Sequence, residues 1–388
     1  VTISVTFETA GLAAAVGKAA RVAPSKGMAF DKAAGILIEG RPHATDPARR
    51  ITIKATNLEV DYLEWVQPLE MSSDEDFDWR LPSSILAGFC AGMPIGSGKT
   101  VTISREGVTG NVTLQSGKKK ATINVMSADG YKPWTPFDPD MLHDVKGFPA
   151  RVGQAAWACD KAAVPFSGVH LDGTHILATD KYRLVRVPCD ADVAEPVTVP
   201  MDTLGPILKS VEDVRLGANE NYLLIMPDEY TQMRAIRYDA KYPAVSRIMD
   251  AAIFNRVVTV PRIRLREALS LMTGLIAKGE RYPIVTLTFN ADTLHLEMNV
   301  PGNGVMVDEL EITTETVVRP EIDEPMVELF AINFTPTYLT DALDQPKTDT
   351  VMLGYRTDKS SPMKMWDGLG FEAWIMPRKA TEAGPVAE

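Results

Sequence analysis

Several things are scarce in this sequence, and each scarcity excludes a class of protein. Only Cys90, Cys159 and Cys189 occur among 388 residues, an odd number set far apart. No disulfide framework is expected from them, and a reducing cytoplasm is the expected setting. No apolar run approaches the roughly 18 residues that a membrane-spanning helix needs, so no membrane partner is expected. Val1 to Ala20 lack the charged, apolar and small-residue zones of a secretory signal. Spacings of the Cys-x2-Cys kind, a Gly-x-Ser-x-Gly elbow and a His-Glu-x-x-His pair are also missing. Neither a metal, a cofactor nor a catalytic set is therefore expected, and the chain does not read as an enzyme. His170, His175 and Cys189 come nearest to a ligand set, and their spacing does not support one.

Basic residues are outnumbered, 40 Lys and Arg against 51 Asp and Glu, for a formal net charge of -11. Such a balance favours solubility and opposes unspecific adhesion to nucleic acid, but the sum hides the distribution. Leu12 to Phe30 carry Lys18, Arg21 and Lys26 and no acid. Arg262, Arg264, Arg266, Lys278 and Arg281 face only Glu267 and Glu280, while acids gather at 74–78 and 321–328. A charged helix face is by default a solvated face, so neither island proves a ligand by itself.

Gly96-Ser97-Gly98-Lys99-Thr100 imitates the end of a phosphate-cradling loop. It lacks the glycine required at position 93, where Met93 stands, and it leads from a helix into a strand, the reverse of the phosphate-binding order. A helix-to-strand turn is expected there. An NTP-binding enzyme would need Lys99 to touch phosphate.

With 45% hydrophobic and 23% charged residues the composition is that of a globular protein, and its length suggests two or three domains. Internal repetition favours three. The strand-turn-strand run of Gly168 to Pro188, with Asp172-Gly173-Thr174 in the turn, has echoes at Ile51 to Glu59 and at Ala291 to Leu296. Each of three passes reads helix, strands, helix, strands. In the first pass the helices are Leu12–Val22, closed by Pro24, and Pro82 to about Met93. Strands lie at 35–39, 50–58, 62–66, 100–104, 110–115 and 120–125, with alternation clearest at Ile51, Ile53 and Ala55. The second pass has helices at 151–162 and 201–211 and strands at 166–171, 175–179, 183–187, 213–216, 222–226 and 232–237. The third has helices at 264–278 and 336–343, with strands at 284–290, 293–299, 309–313, 350–355, 363–366 and 371–376. The expected domains are 1–135, 136–250 and 251–380, followed by a tail at 381–388.

Together with the repeat, Ala178-Thr179-Asp180-Lys181-Tyr182-Arg183-Leu184 and the closing Trp374-Ile375-Met376-Pro377-Arg378 make the chain resemble the bacterial-type beta sliding clamp, the beta subunit of DNA polymerase III, over Val1 to Lys379. Tyr242-Pro243 with Arg247 supports the resemblance. Lys181 and Tyr182 stand where the family has glycine and histidine, and the tail runs past the family's usual end, so a divergent clamp is implied, such as a virus of bacteria would carry.

The resemblance implies an α+β chain of three clamp-type domains, each with two inner helices and outer antiparallel sheets, forming a half ring. A domain of about 125 residues spans roughly 36 Å, and a ring clearing duplex DNA needs about six of them, so two chains would close it. It implies a homodimer that encircles double-stranded DNA without reading sequence and tethers DNA polymerase, a clamp loader and peptide motifs of repair proteins. Lys18, Arg21, Lys26, Arg151, Arg262, Arg264, Arg266 and Lys278 are the expected DNA contacts. The partner-peptide groove is expected from Phe166, Thr179, Lys181, Tyr182, Arg183, Leu184, Pro243, Arg247, Ile248, Ser361, Ile375, Met376 and Pro377, with Leu184 and Ile375 also suited to plain core roles. A repeat-built interaction scaffold that does not encircle DNA is the alternative.

Overall fold

The computed structural model describes residues 2–24, 33–41, 46, 49–107, 109–129, 131, 136–201, 208, 211–251, 254, 256–276, 283–300, 303–316 and 329–379. The first stretch contains β1 (Thr2–Glu8), α1 (Thr9–Val22), β2 (Ile36–Gly40), β3 (Ile51–Thr56), β4 (Val60–Trp65), β5 (Glu70–Met71), β6 (Phe77–Leu81), α2 (Ser83–Ala91), β7 (Thr100–Glu106), β8 (Val112–Ser116) and β9 (Lys119–Ile123). Next come β10 (His143–Val145), α3 (Phe148–Ala156), β11 (Gly168–Leu171), β12 (His175–Thr179), β13 (Arg183–Pro188), β14 (Val197–Pro200), β15 (Val214–Ala218), β16 (Tyr222–Asp228), β17 (Thr231–Ile236) and α4 (Ser246–Ala251). The last stretch holds β18 (Arg256–Pro261), α5 (Arg262–Thr273), β19 (Val285–Phe289), β20 (Thr293–Val300), β21 (Gly304–Glu311), β22 (Thr313–Thr316), β23 (Phe330–Phe334), α6 (Pro336–Leu343), β24 (Thr350–Tyr355), β25 (Met363–Trp366) and β26 (Glu372–Ile375).

The class is α+β, and the neighbouring strands from β11 to β22 in one large sheet, like those of the other three sheets, pair antiparallel. Contacts divide the chain into two compact units, Val1–Ala150 with Ala191–Asp239, and Arg151–Asp190 with Ala240–Glu388. In the first unit one sheet runs β5-β1-β7-β8-β9 and the other β10-β15-β16-β17-β4-β3-β2-β6. The second sheet is continuous because β17 pairs with β4, Met233 opposite Tyr62. In the second unit the sheets run β11-β12-β13-β26-β25-β24-β18-β22 and β21-β20-β19-β23.

Helices form where small and apolar residues recur every three or four positions. On α1, Leu12, Ala15, Val16, Ala19 and Val22 are buried, and the alanines allow close approach to β3, β4 and α2. Pro24 follows the last turn, where the Ala23 amide still reaches the Ala19 carbonyl at 2.9 Å. Pro261 precedes α5, whose Leu265, Ala268, Leu269 and Met272 are buried, and Pro336 occupies the first turn of α6, which packs on α5.

Most of the expected elements are present, with shifted ends. The helix expected at 151–162 spans Phe148–Ala156, because a tight turn follows it: the Ala158 and Cys159 amides bond Ala155 and Ala156, and Asp160 caps Ala162 and Ala163. The helix expected at 264–278 spans Arg262–Thr273 and ends at Gly274, whereas the helix expected at 201–211, apart from Met201, Leu208 and Val211, and the tail at 381–388 lie outside the described residues. Strands at β1, β5, β6, β10, β14, β18, β22 and β23 are additional. The Gly96 to Thr100 segment joins α2 to β7, with Gly98 at φ 72° and Lys99 accepting the Thr9 amide at 3.0 Å. Its backbone is a helix-to-strand turn.

One close approach has a measurable cost. Gly40 on β2 faces Phe77 across the ladder, and a Cβ there would come 2.2 Å from the Phe77 ring, which is held by stacking on Trp79 at 4.0 Å. Gly40→Ala is expected to lower stability by about 1–3 kcal/mol, read as a lower midpoint in thermal and urea unfolding.

Candidate partner-binding site

The turn between β12 and β13 is fixed by two short side chains. Thr179 Oγ1 accepts the Lys181 amide at 3.1 Å and donates to the Arg183 carbonyl at 2.7 Å. Asp180 Oδ1 accepts the amides of Tyr182 (3.0 Å) and Arg183 (2.9 Å). Lys181 adopts φ 80°, in the left-handed region that favours the glycine of the related motif. The turn sets the Lys181 ammonium 4.7 Å above the Phe166 ring and leaves Tyr182 60% exposed.

Beneath the turn lies a packed floor. β13 pairs with β26 so that Arg183 faces Ile375 and Leu184 faces Trp374, and the Met376 amide continues the ladder to the Tyr182 carbonyl at 2.8 Å. Leu177, Leu184, Tyr242, Val245 and Trp374 form one buried cluster, with Met249 against it. Tyr242 stacks on His170 at 4.2 Å, and burial pushes the His170 imidazole below its ordinary value against the opposing pull of Asp172. The sequence-predicted groove residues thus separate into layers. Thr179, Leu184 and Ile375 are buried structure; Lys181, Tyr182, Pro243, Arg247 and Ile248 are exposed; Phe166, Arg183, Ser361, Met376 and Pro377 lie between. Ser361 Oγ donates to Asp358 at 2.8 Å. His175 bonds Thr174 and Cys189 is buried, and no group of three or more His, Cys, Asp or Glu suited to a metal occurs among the described residues.

Arg183 is a structural lock. Its guanidinium stacks on Trp157 (5.0 Å) and Tyr338 (4.6 Å), and it pairs with Asp180 at 2.9 Å and Asp341 at 2.6 Å. Trp157, Tyr338 and Asp341 carry no signal of this in the sequence, because Asp341 is 158 residues away. Arg183→Ala should lower stability by about 2–4 kcal/mol by stranding the Asp180 carboxylate. Arg183→Lys should recover only part of that in urea unfolding, since an ammonium cannot stack between two rings and bond two carboxylates at once.

Glu372 on β26 accepts from Lys364 at 2.5 Å and from Arg186 at 2.6 Å. Burial alone would raise its carboxyl, but the bonds and charges of Lys364 and then Arg186 hold it below the usual range. A depressed folded value contributes stability above the unfolded carboxylate value of about 4.3, lost as pH falls through the folded value. Glu372→Gln should therefore destabilise at neutral pH and flatten the loss of stability between neutral and strongly acid solution, measured by urea unfolding across pH.

The helix cations are more engaged than their sequence islands imply. Lys18 Nζ lies 3.2 Å from Glu64, and Arg151 donates to the Pro188 carbonyl. Arg262 bonds the Thr348 and Leu343 carbonyls at 2.6 and 3.0 Å, satisfying the C-terminus of α6. Arg266 pairs with Asp344 at 2.8 Å, and Arg264 lies 3.5 Å from Glu267 and 3.8 Å from Asp308. Arg262, Arg264 and Arg266 share α5, Lys18 and Arg21 share α1, and Lys26 and Lys278 lie outside the described residues.

No protein-family model matches the chain. Its structure is similar to solved beta subunits of DNA polymerase III. The one from Thermotoga maritima is 20% identical with a TM-score of 0.81, covering 98% of this chain and 100% of that one. The DNA polymerase sliding clamp from Bacillus subtilis is 17% identical with a TM-score of 0.82 and the same coverage. A Pseudomonas aeruginosa sliding clamp bound to griselimycin is 18% identical, TM-score 0.80, again over 98% and 100%. The chain therefore has the fold of the bacterial beta sliding clamp along its length.

Proposed function

We propose that the chain is a DNA sliding clamp, a processivity factor in which two copies pair head to tail around duplex DNA and tether a replicative polymerase and other partners in the cytoplasm. The observation that carries this reading is the end-to-end match to the clamp fold. No catalytic step is assigned to the chain. The recurring order of strand, helix, strands, helix and strands in the first and third stretches supports three domains near 1–135, 136–250 and 251–380.

Pairing of two copies has support at two sheet edges. β9 ends its sheet in the first unit, and β21 ends its sheet in the second; among the described residues no strand covers the outer side of either. Lys118, Lys119 and Lys120 stand exposed at β9, whereas β21 presents Glu309 and Glu311 with half-buried Asp308, beside exposed Val305 and Val307. Like edges repel and unlike edges attract, which favours a heterologous contact.

On this reading Arg21, Arg264 and Arg266, with Lys18, Lys26, Arg151, Arg262 and Lys278, supply weak salt-sensitive attraction to phosphate, and ring closure supplies persistence. The surface around Tyr182, bounded by Phe166, Lys181, Pro243, Arg247, Ile248, Met376 and Pro377, receives peptide segments of polymerase, loader and repair proteins. The protein loaded on nicked circular duplex should remain bound at moderate salt and fall off once the circle is cut. Equal retention on linear and circular DNA would contradict encirclement.

A further inference from the structure

We propose that one cavity of the first compact unit binds a small phosphate monoester with a ring-sized apolar body. Its residues are assigned to neither DNA nor partner segments.

The cavity, about 300 Å³ in volume, sits on one face of the sheet that runs through β2, β3, β4 and β17. Alternation on entering β3 puts Arg50, Thr52 and Lys54 on that face. The ladders set Glu39 and Trp65 on either side of Thr52, and Lys54 and Gln232 on either side of Leu63. Gln232 also pins the chain at Phe137 in both directions, its side-chain oxygen accepting the Phe137 amide at 3.1 Å and its nitrogen donating to the Phe137 carbonyl at 3.0 Å. Leu63, Trp65, Pro136 and Phe137 thereby supply apolar lining. A volume at the low end of the range for ligand sites, about 300–1,000 Å³, suits one ring and little more.

The rest of the lining is basic. Arg41, Arg49, Arg50 and Lys54 stand there against Glu39 alone, in a chain whose net charge is -11. Glu39 is already engaged by Lys54 at 2.6 Å, Arg41 at 3.1 Å and Thr52 at 3.2 Å. The other carboxylates near these cations do not line the cavity: Arg50 pairs with Asp74, which is 83% exposed, Arg49 lies 3.4 Å from Asp46, and Arg41 meets Asp78 at 2.6 Å and Asp76 at 3.9 Å. Pairs this open to solvent are screened, and they leave much of the positive field in place.

Two donors point to what is held. Arg49 and Arg50 each keep a buried Nε–H with no hydrogen-bond acceptor among the described residues, a costly state in an empty site. A phosphate dianion has oxygens enough to accept from both guanidinium groups, and its charge matches the excess of cations better than a carboxylate does. A second cavity of about 230 Å³ shares Glu39, Arg41 and Lys54 but adds Asp61 and Asp78. Carboxylates outnumber cations there, which turns an anion towards the first.

Isothermal titration calorimetry on the full chain with phenyl phosphate, inorganic phosphate and benzoate tests the assignment. Phenyl phosphate should bind about tenfold more tightly than either of the others, since one lacks the ring and the other the second charge. Arg49→Gln with Arg50→Gln should weaken it by a further factor of about ten. In the parent, where no variant has to fold, saturating phenyl phosphate should slow hydrogen exchange at residues 49–52 and 137–140. Failure of phenyl phosphate to bind, an affinity no better than that of inorganic phosphate or benzoate, undiminished binding by the folded double variant, or slowed exchange only elsewhere would each overturn the site.

Discussion

An uncovered strand edge is the constraint on which this molecule turns. Four antiparallel sheets carry the chain, and a sheet that ends in water leaves a row of backbone donors and acceptors ready to pair with any other edge. Among the described residues β9 and β21 meet that condition, with charges of opposite sign. Lysines on one strand oppose its pairing with its own copy, and acids on the other do the same. These charges favour the unlike contact between copies that we propose, with exposed Val305 and Val307 beside it. The proposed head-to-tail pairing draws on negative charge at one edge and positive charge at the other.

The turn at 179–183 shows a similar division of labour over a few residues. Thr179 and Asp180 spend their side chains on the backbone, which frees Lys181 and Tyr182 to face outward. Arg183 turns back and is held by two rings and two carboxylates. A guanidinium so engaged has little left for a ligand. The glycine of the related motif would make the same turn without strain but could not place a cation over Phe166.

How much of this was legible in the sequence depended on distance along the chain. The repeat, the helices at α1, α2 and α6 and the strand pairs around Asp172 and Asp180 are local patterns of alternation, caps and turns, and they read directly. β1, with Ile3, Val5 and Phe7 inward, and β18, with Val258 and Val260, had the same alternation but no flanking turn to mark them. Helix ends shifted where a local turn decided them, as at Trp157 to Ala163. The candidate partner surface was legible only through resemblance, and its electrostatics were not. Sequence shows the sign of Arg262 but not that it caps α6, and shows Asp341 but not that it belongs to Arg183.

The pairing of unlike edges is most directly tested by sedimentation equilibrium of the protein and two charge-reversed forms. One carries Lys118→Glu, Lys119→Glu and Lys120→Glu, the other Asp308→Lys, Glu309→Lys and Glu311→Lys. The account predicts paired copies for the parent, single copies for each reversed form alone, and paired copies again when the two reversed forms are mixed. A parent that sediments as single copies, or reversed forms that pair as well as the parent does, would contradict it.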